Sequence, residues 1–85
     1  MSAIRQHELL QLLLRFSSGE EQSLHLAGRI EVALDEIYGA EEPYSSLSLA
    51  LASFRPGGGD FLYDGAQITQ MMAPIVALMR RELRE

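Results

Sequence analysis

The chain has no cysteine, so neither a disulfide framework nor a thiolate metal site is open to it. Without such staples, 85 residues must hold together on their Leu, Ile and Met side chains. No apolar run is long enough to cross a bilayer. The run Leu9-Leu10-Gln11-Leu12-Leu13-Leu14 superficially resembles a signal-peptide core. It is broken by Gln11, closed by Arg15 and followed by no small-residue cleavage site. A complete, cytoplasmic, single-domain protein is expected. Lysine is missing too: all seven cations are arginine, and no function follows from that. No serine stands in a nucleophile-elbow motif, so nucleophilic catalysis has no candidate.

Hydrophobic residues make up 47% of the chain, which marks a globular protein and not a disordered acidic tail. A chain this short buries only about 60–65% of the surface its unfolded state exposes, so stability should be modest. The net charge of −5 argues against nucleic acid or anionic lipid as a partner, since both would be repelled. It favours a cationic partner, although moderate acidity is also a common means of staying in solution.

The apolar periodicity predicts an all-α fold, a compact antiparallel four-helix bundle. The first helix spans about residues 3–16, with Ser2 as a cap and Glu8, Gln11 and Arg15 on a narrow polar strip. Its wide apolar arc implies cover from two sides. Ser18 and Glu21 form a capping-box pattern, so a second helix should open there and stop at Tyr38-Gly39. Its buried stripe is Leu26, Ile30, Ala33, Leu34 and Ile37. Ser45 or Ser46 should cap a short third helix ending near Phe54. Here Leu47, Leu49 and Leu51 also alternate as in a strand, but Leu47, Leu51 and Phe54 share a helical face. After Arg55-Pro56-Gly57-Gly58-Gly59 and a short extended connector, Asp64 and Gln67 repeat the capping box. The last stripe, Ile68, Met71, Met72, Ile75, Leu78, Met79 and Leu83, keeps its phase across Pro74. One helix bent at that proline is expected.

The acids are the most informative feature. Residues 20–42 hold seven of the twelve (Glu20, Glu21, Glu31, Asp35, Glu36, Glu41 and Glu42) against a single Arg29. Glu20 and Glu21 are explained by a first turn, where negative charge complements the helix dipole. Asp35 and Glu36 crowd the opposite end, where it is disfavoured. Glu31 and Asp35 are like charges one turn apart, at a cost of roughly 0.2–0.5 kcal/mol. Small costs of one sign suggest a surface kept for binding. The candidate partner-binding set is Glu31, Asp35, Glu36, Glu41, Glu42 and Asp60.

Other constellations favour plain readings. His7 and His25 lie on different helices with no second ligand at metal spacing, and read as surface histidines. The glycine triplet lacks the preceding strand and following lysine of a phosphate loop, and reads as a turn. Asp60 and Asp64 flank Phe61-Leu62-Tyr63. A catalytic carboxylate pair is the weaker reading of them, and a recognition loop with an exposed Phe61 or Tyr63 the better one. Met71, Met72 and Met79 read as core, and Arg80, Arg81 and Arg84 as cations suited to a helix C-terminus. No metal, cofactor or enzymatic activity is expected.

From Phe16 onward, the order of features resembles immunity proteins of the colicin D type. A serine-containing break follows the first helix. The second carries Arg29-Ile30 and closes in Tyr38-Gly39. The third ends in Phe54-Arg55-Pro56, and the acid-flanked connector from Asp60 to Asp64 leads into the last helix. The resemblance implies a small helical inhibitor that presents acids to the basic cleft of a tRNA-cleaving toxin, in place of substrate phosphates. That family places acids around its Phe-x-Pro turn, where this chain has Ala52 before and Gly57 to Gly59 after. The contacts would therefore shift toward Glu41, Glu42, Asp60 and the second helix. The alternative is a structural module or accessory subunit forming a homodimeric bundle through the broad apolar arc of the first helix.

Overall fold

A computed structural model describes residues 3–60 and 62–83, with Ala3 as backbone only. It contains four helices, α1 (Ala3–Ser17), α2 (Leu24–Ile37), α3 (Tyr44–Ala52) and α4 (Gly65–Leu83). They run up and down in turn, each packed on its two neighbours in a ring, while the backbones of the diagonal pairs stay apart. The all-α four-helix bundle expected from the periodicity is what forms. The proposed Ser2 cap lies outside the described residues, as does Phe61.

The core follows the stripes. Leu9, Leu10, Leu13 and Phe16 are buried on α1, with Leu12 and Leu14 packed at their edges. The wide α1 arc is thus covered within the chain, by α2 on one side and α4 on the other. Leu26, Ile30, Leu34 and Ile37 face them from α2, and Ile68, Met72, Ile75 and Met79 from α4. Each such side chain contributes about 1.5–3 kcal/mol when buried. That outweighs the few tenths lost to like charges on the α2 surface. Phe16 and Phe54 meet edge to face at 5.2 Å, closing one end of the core. At the other end, Tyr38 and Tyr44 stack with their centroids 3.5 Å apart.

Two helix starts differ from the sequence reading. Ser18 does not cap α2. Its hydroxyl turns back to donate to the Arg15 carbonyl at 3.1 Å and accepts from the Glu20 amide at 3.3 Å. The chain makes one more loop, with Gly19 at φ 84°, before Ser23 takes an extended conformation and accepts from the Leu26 amide at 3.1 Å. Glu20 and Glu21 therefore precede the helix, and they pair locally with Arg15 and the Ser23 hydroxyl. At α3, Ser45 and Ser46 are not the cap but lie inside the first turn. Both hydroxyls donate to the Glu42 carboxylate, which also accepts from the Ser46 amide at 3.0 Å.

Other punctuation forms as read. Gly39 stops α2 at φ 59°, its amide reaching the Leu34 and Asp35 carbonyls. Asp64 and Gln67 cap α4 reciprocally, each amide donating to the other's side chain at 2.9 Å. The helix then continues unbroken through Pro74, which is exposed on the outer face. The described part of the α3–α4 connector is not the extended segment expected but a succession of turns, the Leu62 amide closing one on the Gly59 carbonyl. It is pinned back on α3 by the Tyr63 amide donating to the Ser53 carbonyl and the Arg55 amide to the Tyr63 carbonyl. On α3, Leu47 and Leu51 are buried while Leu49 is 73% exposed, which settles helix over strand.

Candidate functional site

The antiparallel path sorts the acids by end. The second half of α2, the α2–α3 turn and the start of α3 share one end of the bundle with the finish of α4. The Tyr44 hydroxyl marks this, donating to Glu82 at 2.6 Å. Glu31, Asp35, Glu36, Glu41 and Glu42 all fall in this stretch. Asp60 does not join them. It follows α3, whose 9 residues put about 13–14 Å of helix between it and the turn. Asp60 is exposed and lies past the far end of α3.

The five remaining acids divide again around α2. Asp35 accepts from the Ser48 hydroxyl of α3 at 2.8 Å, so its flank, shared by Glu31 one turn back, borders α3. Glu36 lies on the opposite flank, ion-paired to Arg5 of α1. Ser48 is a buried polar residue, and Asp35 is what satisfies it. Part of the apparent rule-breaking at the end of α2 thus has a structural cause. Glu42 has one too, as the acceptor that organises the first turn of α3. Hydrogen bonds from Ser45 and Ser46 hold its carboxyl below the usual carboxylate range. Glu31 and Glu41 make no side-chain hydrogen bond or ion pair with any described residue. Four carboxylates, Glu31, Asp35, Glu41 and Glu42, therefore edge the α2–α3 side without an arginine among them.

An apolar feature escaped the sequence reading. Leu49 projects outward from α3 directly after Ser48, level with the space between Asp35 and Glu31 in the antiparallel register. On the other side of α2, a groove of about 650 Å³ runs along α1. Leu24, Gly28 and Val32 lie in it at successive turns, with Arg5, Glu8, His25, Arg29 and Glu36 among its charged lining. Leu24 is 50% and Val32 58% exposed. The signal was present in the sequence: Leu24, Gly28 and Val32 form a second, uncharged and largely apolar stripe beside the buried one.

The remaining candidates keep plain roles. His25 is exposed on the groove, and His7 is half-buried. Gly57, Gly58 and Gly59 all have positive φ and form a turn, closed by the Gly58 amide on the Arg55 carbonyl. Asp64 is engaged as a cap, and Tyr63 beside it is partly exposed. Met72 and Met79 are buried, and Met71 half-buried. Arg80 and Arg81 close α4, where their charge suits the dipole. Among the described residues no group of three or more His, Asp or Glu could hold a metal. None of their helices is long and apolar enough to cross a membrane.

No protein-family model, no curated protein and no solved structure matches this chain.

Proposed function

We propose that the protein is a non-enzymatic inhibitor, an immunity-type partner that blocks a basic nuclease toxin through the acidic α2–α3 side. The observation that carries this reading is the run of Glu31, Asp35, Glu41 and Glu42 along one edge with no arginine interposed. Glu41 is exposed, and two of the other carboxylates accept only from serines, which leaves their negative charge undiminished. Such an edge offers a cationic cleft the charge pattern of successive phosphates. Exposed Leu49 adds an apolar contact near its middle. The ordered features shared with colicin D-type immunity proteins support the same reading, with Asp60 outside the contact and Glu36 at its margin. The mechanism is occlusion of the substrate cleft by a rigid bundle, with association steered by charge.

The test is association kinetics with the basic nuclease domain recovered by pull-down from the host. Replacing Glu31 and Glu41 together by Gln should slow association several-fold and flatten its dependence on salt. Asp60→Asn, at the far end, should leave both unchanged. Rates indifferent to the double substitution, or a larger effect from Asp60→Asn, would sink this assignment.

A further inference from the structure

The α1–α2 groove uses residues that the acidic edge does not. We propose that it docks a second copy of this chain, α2 against α2, antiparallel about a two-fold axis. A two-fold axis perpendicular to a helix reverses its direction but returns each flank to the same flank of the copy. A flank can pair with itself only when its two ends carry opposite charge. The α1-facing flank of α2 meets that condition. His25 and Arg29 occupy its first half, and Glu36 follows Arg29 by two turns.

A pairing centred between Val32 and Ala33 sets Arg29 of each copy against Glu36 of the other. It brings the two Val32 side chains together, so that surface 58% exposed in one chain becomes covered in two. Gly28 helps the backbones approach, because a Cβ there would meet nothing within 4 Å in the single chain. Arg29 has no ion-pair partner among the described residues, while Glu36 already holds Arg5. In the pair, Glu36 lies between its own Arg5 and the incoming Arg29. The other flank, with Glu31 and Asp35, carries one sign and turns toward α3. It could not pair with itself, and it stays outside the contact. The dimer therefore leaves the acidic edge open and does not depend on the inhibitor reading. It also differs from a dimer through α1, whose apolar arc is already covered.

Sedimentation of the full chain over a range of concentrations tests this. Wild type should show a reversible monomer–dimer equilibrium. Arg29→Glu and Glu36→Arg should each weaken it by about tenfold or more, since two attractions become two repulsions. An equimolar mixture of these two variants should dimerise again, because each reversed charge then meets its opposite. Val32→Glu, at an exposed position and checked for helicity by circular dichroism, should also be monomeric. A wild type that is monomeric throughout, a dimer indifferent to these changes, or a mixture that stays monomeric each overturns the proposal.

Discussion

Gly28 sits inside α2 with no positive φ and no neighbour for a methyl group, so nothing in the single chain requires a glycine there. Gly28→Ala should therefore stabilise the dilute protein by about 0.5–1 kcal/mol in urea unfolding, by the difference in helix propensity. Tyr44 is the opposite case. Its ring is buried and its hydroxyl reaches the exposed Glu82. Burial and the Glu82 carboxylate push its ionisation well above the ordinary 10.0. The unfolded chain thus loses this proton first, and stability falls as pH rises past about 10. Tyr44→Phe should cost about 0.5–1.5 kcal/mol at neutral pH and remove that part of the alkaline loss. Glu42 has the reverse sign. Its folded pKa lies below the ordinary 4.5, so its contribution is complete above that value and disappears as pH falls through the folded one. Acid unfolding of Glu42→Gln should lack this component.

Among the elements, the start of α2 separates a serine that resembles a cap from one that acts as one. Ser23→Ala removes the acceptor for the Leu26 amide and should cost about 1 kcal/mol in thermal or urea unfolding. Ser18→Ala touches only an exposed loop and should stay within about 0.5 kcal/mol of wild type. Equal losses at both positions would mean that α2 begins earlier than Leu24. The capping box at Asp64 and Gln67 was legible because nothing competes for those side chains locally. At Ser18 the Arg15 carbonyl competed and won, since the last turn of α1 offers free acceptors within reach of a serine hydroxyl.

Across the whole molecule, charge separates into surfaces. The α2–α3 side carries Glu31, Asp35, Glu41 and Glu42, while Arg80 and Arg81 stand on the last turn of α4. A net charge of −5 so divided should make encounter with a basic protein fast at low salt and much slower at high salt. Stopped-flow association at several ionic strengths measures this directly. A neutral or acidic partner that bound with no salt dependence would contradict it.

The chain of residues by itself determined four helices, their stops at Gly39 and the glycine turn, and most of the buried stripes. Those features depend on periodicity and on local backbone chemistry, which are written in consecutive residues. Tertiary structure alone decided which acids are neighbours. Asp60 parts from Glu41 because α3 intervenes, Asp35 is claimed by Ser48, and Glu36 crosses to Arg5. It also decided that the α1 arc of Leu9, Leu10, Leu13 and Phe16 would be covered while Leu24, Val32 and Leu49 would not. Electrostatic and apolar surfaces are assembled from distant segments, so their continuity becomes defined only when the helices take their places in the bundle.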